Sequence, residues 1–211
     1  MNNAEIIKKY MDDYSEDFLY EHSECCSYEI CGISAKIDVW EYDNGREYRE
    51  KAHVLLEKGS LKYECECIDR HDWANMFYPI ILSGKTYLCF RKTLYGFSFI
   101  DVESLTEEYE FFPEKVIKWE ESFIICDAKM LGDIIIFDGC YWACPYSCVA
   151  YDHRSGLFVN LSLEYGIGAT DIESEIREDV LIIHGMDGDY SKTVTCDDVR
   201  QLLKEKGNTD F

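Results

Sequence analysis

The sequence predicts a mostly β protein, a β-rich α+β chain whose antiparallel, blade-like sheets stack in one compact body with a helix at each end. Three observations point there. Residues 34–42 and 61–68 alternate apolar and polar side chains with a period of two. The stretch Gly132–Asp152, GDIIIFDGCYWACPYSCVAYD, sets two apolar, β-branched runs around a loop bearing Gly and Pro. The segment that begins at Ser83 is echoed by one that begins at Leu131.

With 211 residues, 47% of them hydrophobic, the chain is long enough for one good core, and a single domain is expected. Residues 1–70 supply a helix and hairpins, 71–194 the blade-like repeats, and 195–211 a helix and tail. No apolar run reaches the ~18 residues of a membrane helix. The N-terminal MNNAEIIKKYMDDYSEDF breaks the apolar stretch a signal peptide needs, so a cytoplasmic location is expected. The eleven cysteines are then an odd number in a reducing compartment and read mainly as small hydrophobes, not as a disulfide framework. A net charge of -21 from 42 acidic and 21 basic residues repels phosphate backbones and anionic lipid, which disfavours nucleic acid and membranes as partners. It suits a basic protein partner, or a solvated surface.

From the N-terminus, Ile7, Tyr10, Met11, Tyr14 and Phe18 fall at helical spacing and predict an amphipathic helix over Ala4–Phe18. His22, Cys25, Cys26 and Cys31 offer four zinc-capable side chains, but adjacent cysteines chelate one tetrahedral ion poorly and no CxxC knuckle is present, so they are read as packing or loop residues. A strand over Ser34–Tyr42, a turn at Asp43-Asn44-Gly45, a strand from Tyr48 to Leu56, a turn at Lys58-Gly59 and a strand over Leu61–Ile68 follow from the alternation and the turn residues. Cys65 and Cys67 are half a metal site at most. Arg70, His71, Asp72 and Trp73 read as a polar link.

Each of the two repeat copies reads as strand, loop, strand, turn, strand, preceded by further strands at Tyr78–Leu82 and Ser122–Cys126, the spacing of a propeller blade. A third, partial copy begins at Asp179. Two copies and a fragment are too few for a closed ring, so a stacked or partly open assembly is expected. After it, Thr195 as N-cap, Asp198 three residues on, Val199, Leu202 and Leu203 on one face, late Lys204 and Lys206, and Gly207 predict a terminal helix.

The segment GCYWACPYS, Gly139–Ser147, between LGDIIIFD and CVAYD, resembles one found in uncharacterised bacterial proteins with propeller-like β-repeats. The resemblance spans roughly Gly84–Leu161. It implies a β-repeat fold and no catalytic residues or cofactor.

For chemistry, Cys140, Cys144 and Cys148 are spaced CxxxCxxxC, not the CxxxCxxC of a radical cluster motif, and predict no cluster or metal. A nucleophilic thiol would need a histidine, and Cys140 or Cys144 with His153 or His184 is the pairing the repeat could bring together. The glycines at 166–168 and 185–188 lack the Lys and Ser/Thr of a phosphate loop, and Asp187 and Asp189 lack the closing Glu of a calcium loop. Tyr141, Trp142, Pro145 and Tyr146 crowd a loop tip, where aromatic rings either offer contact area for recognition or plug the junction of two blades. The expectation is a non-enzymatic acidic interaction module of inhibitor or immunity type with Trp142 and its neighbours as anchor. The alternative is a small enzyme or ligand-binding domain that uses the 139–148 loop.

Overall fold

In the computed structural model the described residues are 19–68, 73–92, 97–111, 123–141, 146–167, 172–185 and 190–207. The helix expected over Ala4–Phe18 lies outside them. The described chain is mostly β, with four antiparallel sheets. It divides into two compact units, Met1–Pro79 with Lys85–Phe112, and Ile80–Gly84 with Pro113–Phe211.

In the first unit β1 (Glu21–Ile30), β2 (Ile33–Asp43), β3 (Tyr48–Lys58) and β4 (Leu61–Ile68) form a meander in that order. The three strands read from alternation are present, and β1 is an additional one. The β1–β2 connection is two residues, Cys31 and Gly32, at φ of 52° and 72°, the left-handed pair whose twist suits a tight hairpin. At the next turn Asp43 Oδ1 accepts from Gly45 N, and Asn44 Oδ1 from the amides of Arg46 and Glu47. The side chains thus reinforce the backbone bond that closes the turn, from Asn44 N to the Glu47 carbonyl at 3.3 Å.

Alternation turns Ile33, Ala35, Ile37 and Val39 of β2, with Ala52, Val54 and Leu56 of β3, onto one face. There they are buried with Trp73, Met76, Phe77, Leu88, Phe90 and Ile100. Each fully buried aliphatic side chain adds about 1.5–3 kcal/mol. β5 (Tyr78–Leu82), β6 (Lys85–Phe90), β7 (Phe97–Asp101) and β8 (Glu107–Phe111) make a second sheet in sequence order, and β5 has the bounds read from the sequence.

The second unit holds β9 (Phe123–Leu131), β10 (Ile134–Tyr141), β11 (Tyr146–Asp152) and β12 (Leu157–Asn160), again a meander. A one-turn helix, α1 (Leu161–Glu164), follows, capped by Asn160. β13 (Ile172–Arg177), β14 (Val180–Gly185) and β15 (Ser191–Thr195) form a three-stranded sheet where the third copy was expected. The terminal helix α2 (Cys196–Lys206) has the expected Thr195–Asp198 capping box. Gly207 closes it at φ −63°, so glycine is needed there for space: a Cβ would meet the Leu203 carbonyl oxygen at 2.3 Å. Ile134, Ile136, Val159, Leu181, Ile183, Val194, Val199 and Leu203 share one core.

Candidate functional site

The hairpin singled out in the sequence is real, with longer strands than expected. β10 runs through Gly139, Cys140 and Tyr141, and β11 starts at Tyr146, so these four belong to strands and not to the loop. The extension depends on a bulge. The β9–β10 register shifts between Asp138 and Gly139, and a Cβ on Gly139 would lie 2.1 Å from the Ile124 carbonyl oxygen. Only glycine lets the two backbones approach this closely. Cys140 is paired with Tyr146 across the ladder, and Tyr146 is 39% exposed despite its size. Trp142, Cys144 and Pro145 lie outside the described residues.

The histidines are elsewhere. His153 follows Asp152 in the turn at the opposite end of β11 from Tyr146, with its ring 6.3 Å from that of Tyr151. Six strand steps of ~3.3 Å already put Asp152, the residue before it, about 20 Å from Tyr146, so the structure does not bring Cys140 and His153 together. His184 lies on β14, its Nε2 3.1 Å from Glu175 Oε1.

Below the bulge is a cluster that the sequence reading missed. Asp138 and Ser174 are buried. Ser174 donates to the Asp138 carboxylate through Oγ at 2.7 and 2.8 Å and through its amide at 3.2 Å. Lys129 Nζ donates to Asp138 at 2.8 Å, to the Ser174 carbonyl at 2.6 Å and to Ser174 Oγ at 3.1 Å, and pairs with Asp127 at 2.8 Å. A serine beside a lysine invites comparison with a nucleophile and its base, but the base would have to be a neutral amine. Burial pulls the Lys129 ammonium down, while the Asp138 and Asp127 carboxylates outweigh it and leave it above the usual lysine range. Lys129 is therefore a cation that ties β9 and β10 to β13. The signal in the sequence was Asp138 itself, a lone charge closing the run Ile134–Phe137. Opposite it, the Cys148 thiol is pushed well above its ordinary value by burial and by Asp138.

The first unit carries a cleft of about 560 Å³ lined by Leu19, Tyr20, Trp40, Lys51, His53 and Glu66. Lys51 Nζ lies 4.4 Å from the centre of the Tyr20 ring. In β1 the adjacent Cys25 and Cys26 point to opposite faces by strand alternation, which prevents them from gripping one ion. Among the described residues no three His, Cys, Asp or Glu side chains are grouped to hold a metal, and no helix is long and apolar enough to cross a membrane. His71 and the Asp187–Asp189 turn lie outside the described residues.

No protein-family model, curated protein or solved structure matches this chain.

Proposed function

We propose that this chain is a non-enzymatic, acidic protein-interaction module of inhibitor or immunity type that engages a basic protein. The supporting observation is how the charge is used. Lys36, Lys62, Lys85, Lys92, Lys129 and Arg200 are each paired with carboxylates of the chain itself. With these cations occupied, the excess of acidic residues, 42 against 21 basic, sets the sign of the field. Such a field speeds encounter with a basic surface and repels acidic ones. Trp142 and its neighbours Tyr141, Pro145 and Tyr146 are the anchor in this reading, with Tyr146 exposed at the start of β11, because aromatic rings bring large contact area with few rotors. The same reading takes the sheets as stacked, blade-like repeats and the cytoplasm as the compartment.

The test is binding to a basic protein encoded beside this chain's gene. A discrete complex is expected, with an association rate that falls steeply as salt rises. Trp142→Ala and Tyr146→Ala, with unchanged circular dichroism, should each weaken it by about tenfold or more. No complex, or an affinity indifferent to both substitutions and to salt, overturns the proposal.

A further inference from the structure

Strand β4 carries a dithiol. Tyr63, Cys65 and Cys67 alternate with Lys62, Glu64 and Glu66, so all three leave the strand on the face turned toward the core. The two sulfurs are 3.9 Å apart. Cys65 is half-buried and Cys67 fully covered. β4 is the last strand of its sheet and, among the described residues, its ladder partner is β3. On its far side Ile68 N donates to the Lys92 carbonyl at 2.8 Å, beyond Cys67, so the strand can pucker at Cys65 while that bond anchors its end.

A polar group surrounds the pair. Lys92 Nζ lies 2.6 Å from Glu107 and 5.9 Å from the centre of the Tyr63 ring, and the Tyr63 hydroxyl donates to Glu107 at 3.3 Å. The hydrogen bond from Cys67 draws the Cys65 thiol below its ordinary range. Burial opposes this, and the Lys92 charge and the Tyr63 hydroxyl add to the lowering. Thiolate character combined with partial access is what makes a cysteine nucleophilic. The fully buried Cys89 is the contrast, with burial pushing its thiol well up.

We propose that Cys65 and Cys67 form a thiol–disulfide exchange site for low-molecular-weight disulfides, with Cys65 as the attacking sulfur and Cys67 as the resolving one. The Cys65 thiolate attacks one sulfur of the small disulfide, forming a mixed disulfide and expelling one small thiolate. Cys67 then loses its proton, attacks the Cys65 sulfur and expels the second thiolate. Two protein thiols are oxidised to one disulfide, and one small disulfide is reduced to two small thiols once the leaving thiolates take up protons. The exchange is stoichiometric, one small disulfide per chain. Same-face neighbours on a strand have Cα atoms about 6.6–6.8 Å apart, at the upper end of the roughly 4.4–6.8 Å that a disulfide spans. The bridge therefore forms against strand geometry and is easily reduced, as in labile, reversible disulfides.

The experiment uses the full chain, reduced and then held in mixtures of oxidised and reduced glutathione. Quenching by alkylation and peptide mass analysis then follow each cysteine. The wild-type chain should form a Cys65–Cys67 bridge, seen as the loss of two hydrogens from the peptide holding both, while Cys89 and Cys148 remain alkylatable only after unfolding. Adding reduced glutathione should reopen it. Cys67→Ala should accumulate glutathione on Cys65, and Cys65→Ser should slow modification at Cys67 by about tenfold or more. Lys92→Met should move the pH profile of Cys65 modification upward, which a merely structural lysine would not do. If glutathione goes to the exposed Cys25 and Cys31 while wild-type Cys65 and Cys67 remain alkylatable, the proposal is overturned. That reading comes from the wild-type chain and does not depend on whether a variant folds.

Discussion

Lys129 Nζ lies 2.8 Å from Asp138 Oδ2, with 19% and 9% of the two side chains exposed, and both groups are bonded to Ser174 on another strand. A pair this covered is costly to halve, because the remaining charge keeps its desolvation penalty and loses its partner. Lys129→Met should lower unfolding stability by about 3–5 kcal/mol, and Lys129→Met combined with Asp138→Leu should cost less than Lys129→Met alone, both measured by urea denaturation. The sign with pH follows from the raised Lys129 value. A lysine bound more tightly to its proton in the folded state contributes fully below its unfolded value, about 10.4, and the contribution fades as pH rises through the folded value. Alkaline titration should therefore destabilise wild type more than the double variant.

Asp101 reports on the acid side. Its Oδ1 accepts from the amides of Glu103 and Ser104, and Lys85 lies 3.2 Å from its Oδ2. Burial pushes this carboxyl up, but the two amide bonds and Lys85 outweigh it, and the net value is below the ordinary aspartate range. Its contribution is thus present above the unfolded value of about 3.9 and is lost as pH falls through the folded one. Asp101→Ala should cost about 2 kcal/mol near neutral pH, and Asp101→Asn, which keeps an acceptor for the amides, should cost less. As pH falls from the unfolded value of about 3.9 through the lower folded one, the gap between wild type and Asp101→Asn should narrow; a gap independent of pH would refute the assignment.

Gly139 and Gly156 separate two reasons for glycine. The first is hemmed in by the Ile124 carbonyl; the second has φ of 70°, and a Cβ there would have nothing within 4 Å. Gly139→Ala should cost about 3 kcal/mol or more through backbone displacement. Gly156→Ala should cost only about 1 kcal/mol, the left-handed penalty. Thermal unfolding of the two variants side by side checks the order.

Between β13 and β14 the turn is made by Glu178 and Asp179, at φ of 49° and 64°. Glutamate is strained in that region, and aspartate, which visits it more often than most side chains, does so less readily than glycine. Replacing the pair by Asn-Gly should raise stability by about 1 kcal/mol, visible as a higher denaturation midpoint with an unchanged slope.

These features differ in how far the sequence discloses them. β2, β3 and β4 were legible because each face of a half-buried strand repeats every second residue, and because Asn44-Gly45 and Gly59 mark the reversals. α2 was legible because its cap, its apolar stripe and its closing glycine lie within thirteen residues, from Thr195 to Gly207. β1 was missed because its core-facing Cys26, Tyr28 and Ile30 are interleaved with cysteine and serine, so composition suggested a ligand loop where alternation was present. The four-stranded pattern of the two repeats emerged, yet the strand ends at Cys140 and Tyr146 did not, since a bulge is set by the approach of a neighbouring backbone. Asp138 was passed over although it interrupts an apolar run, because its partner Ser174 is 36 residues away and nothing in local periodicity joins the two. The tip itself, at Trp142, Cys144 and Pro145, lies outside the described residues.

The outermost strand of the first unit has one more consequence. Among the described residues β1 is the end member of its sheet, and Glu21, Glu24 and Glu29 are exposed along it. A second molecule docking there edge to edge in antiparallel fashion would set its own glutamates against these, and like charges at close quarters oppose self-templated fibril growth. The carboxylates along this rim therefore act as a guard against aggregation.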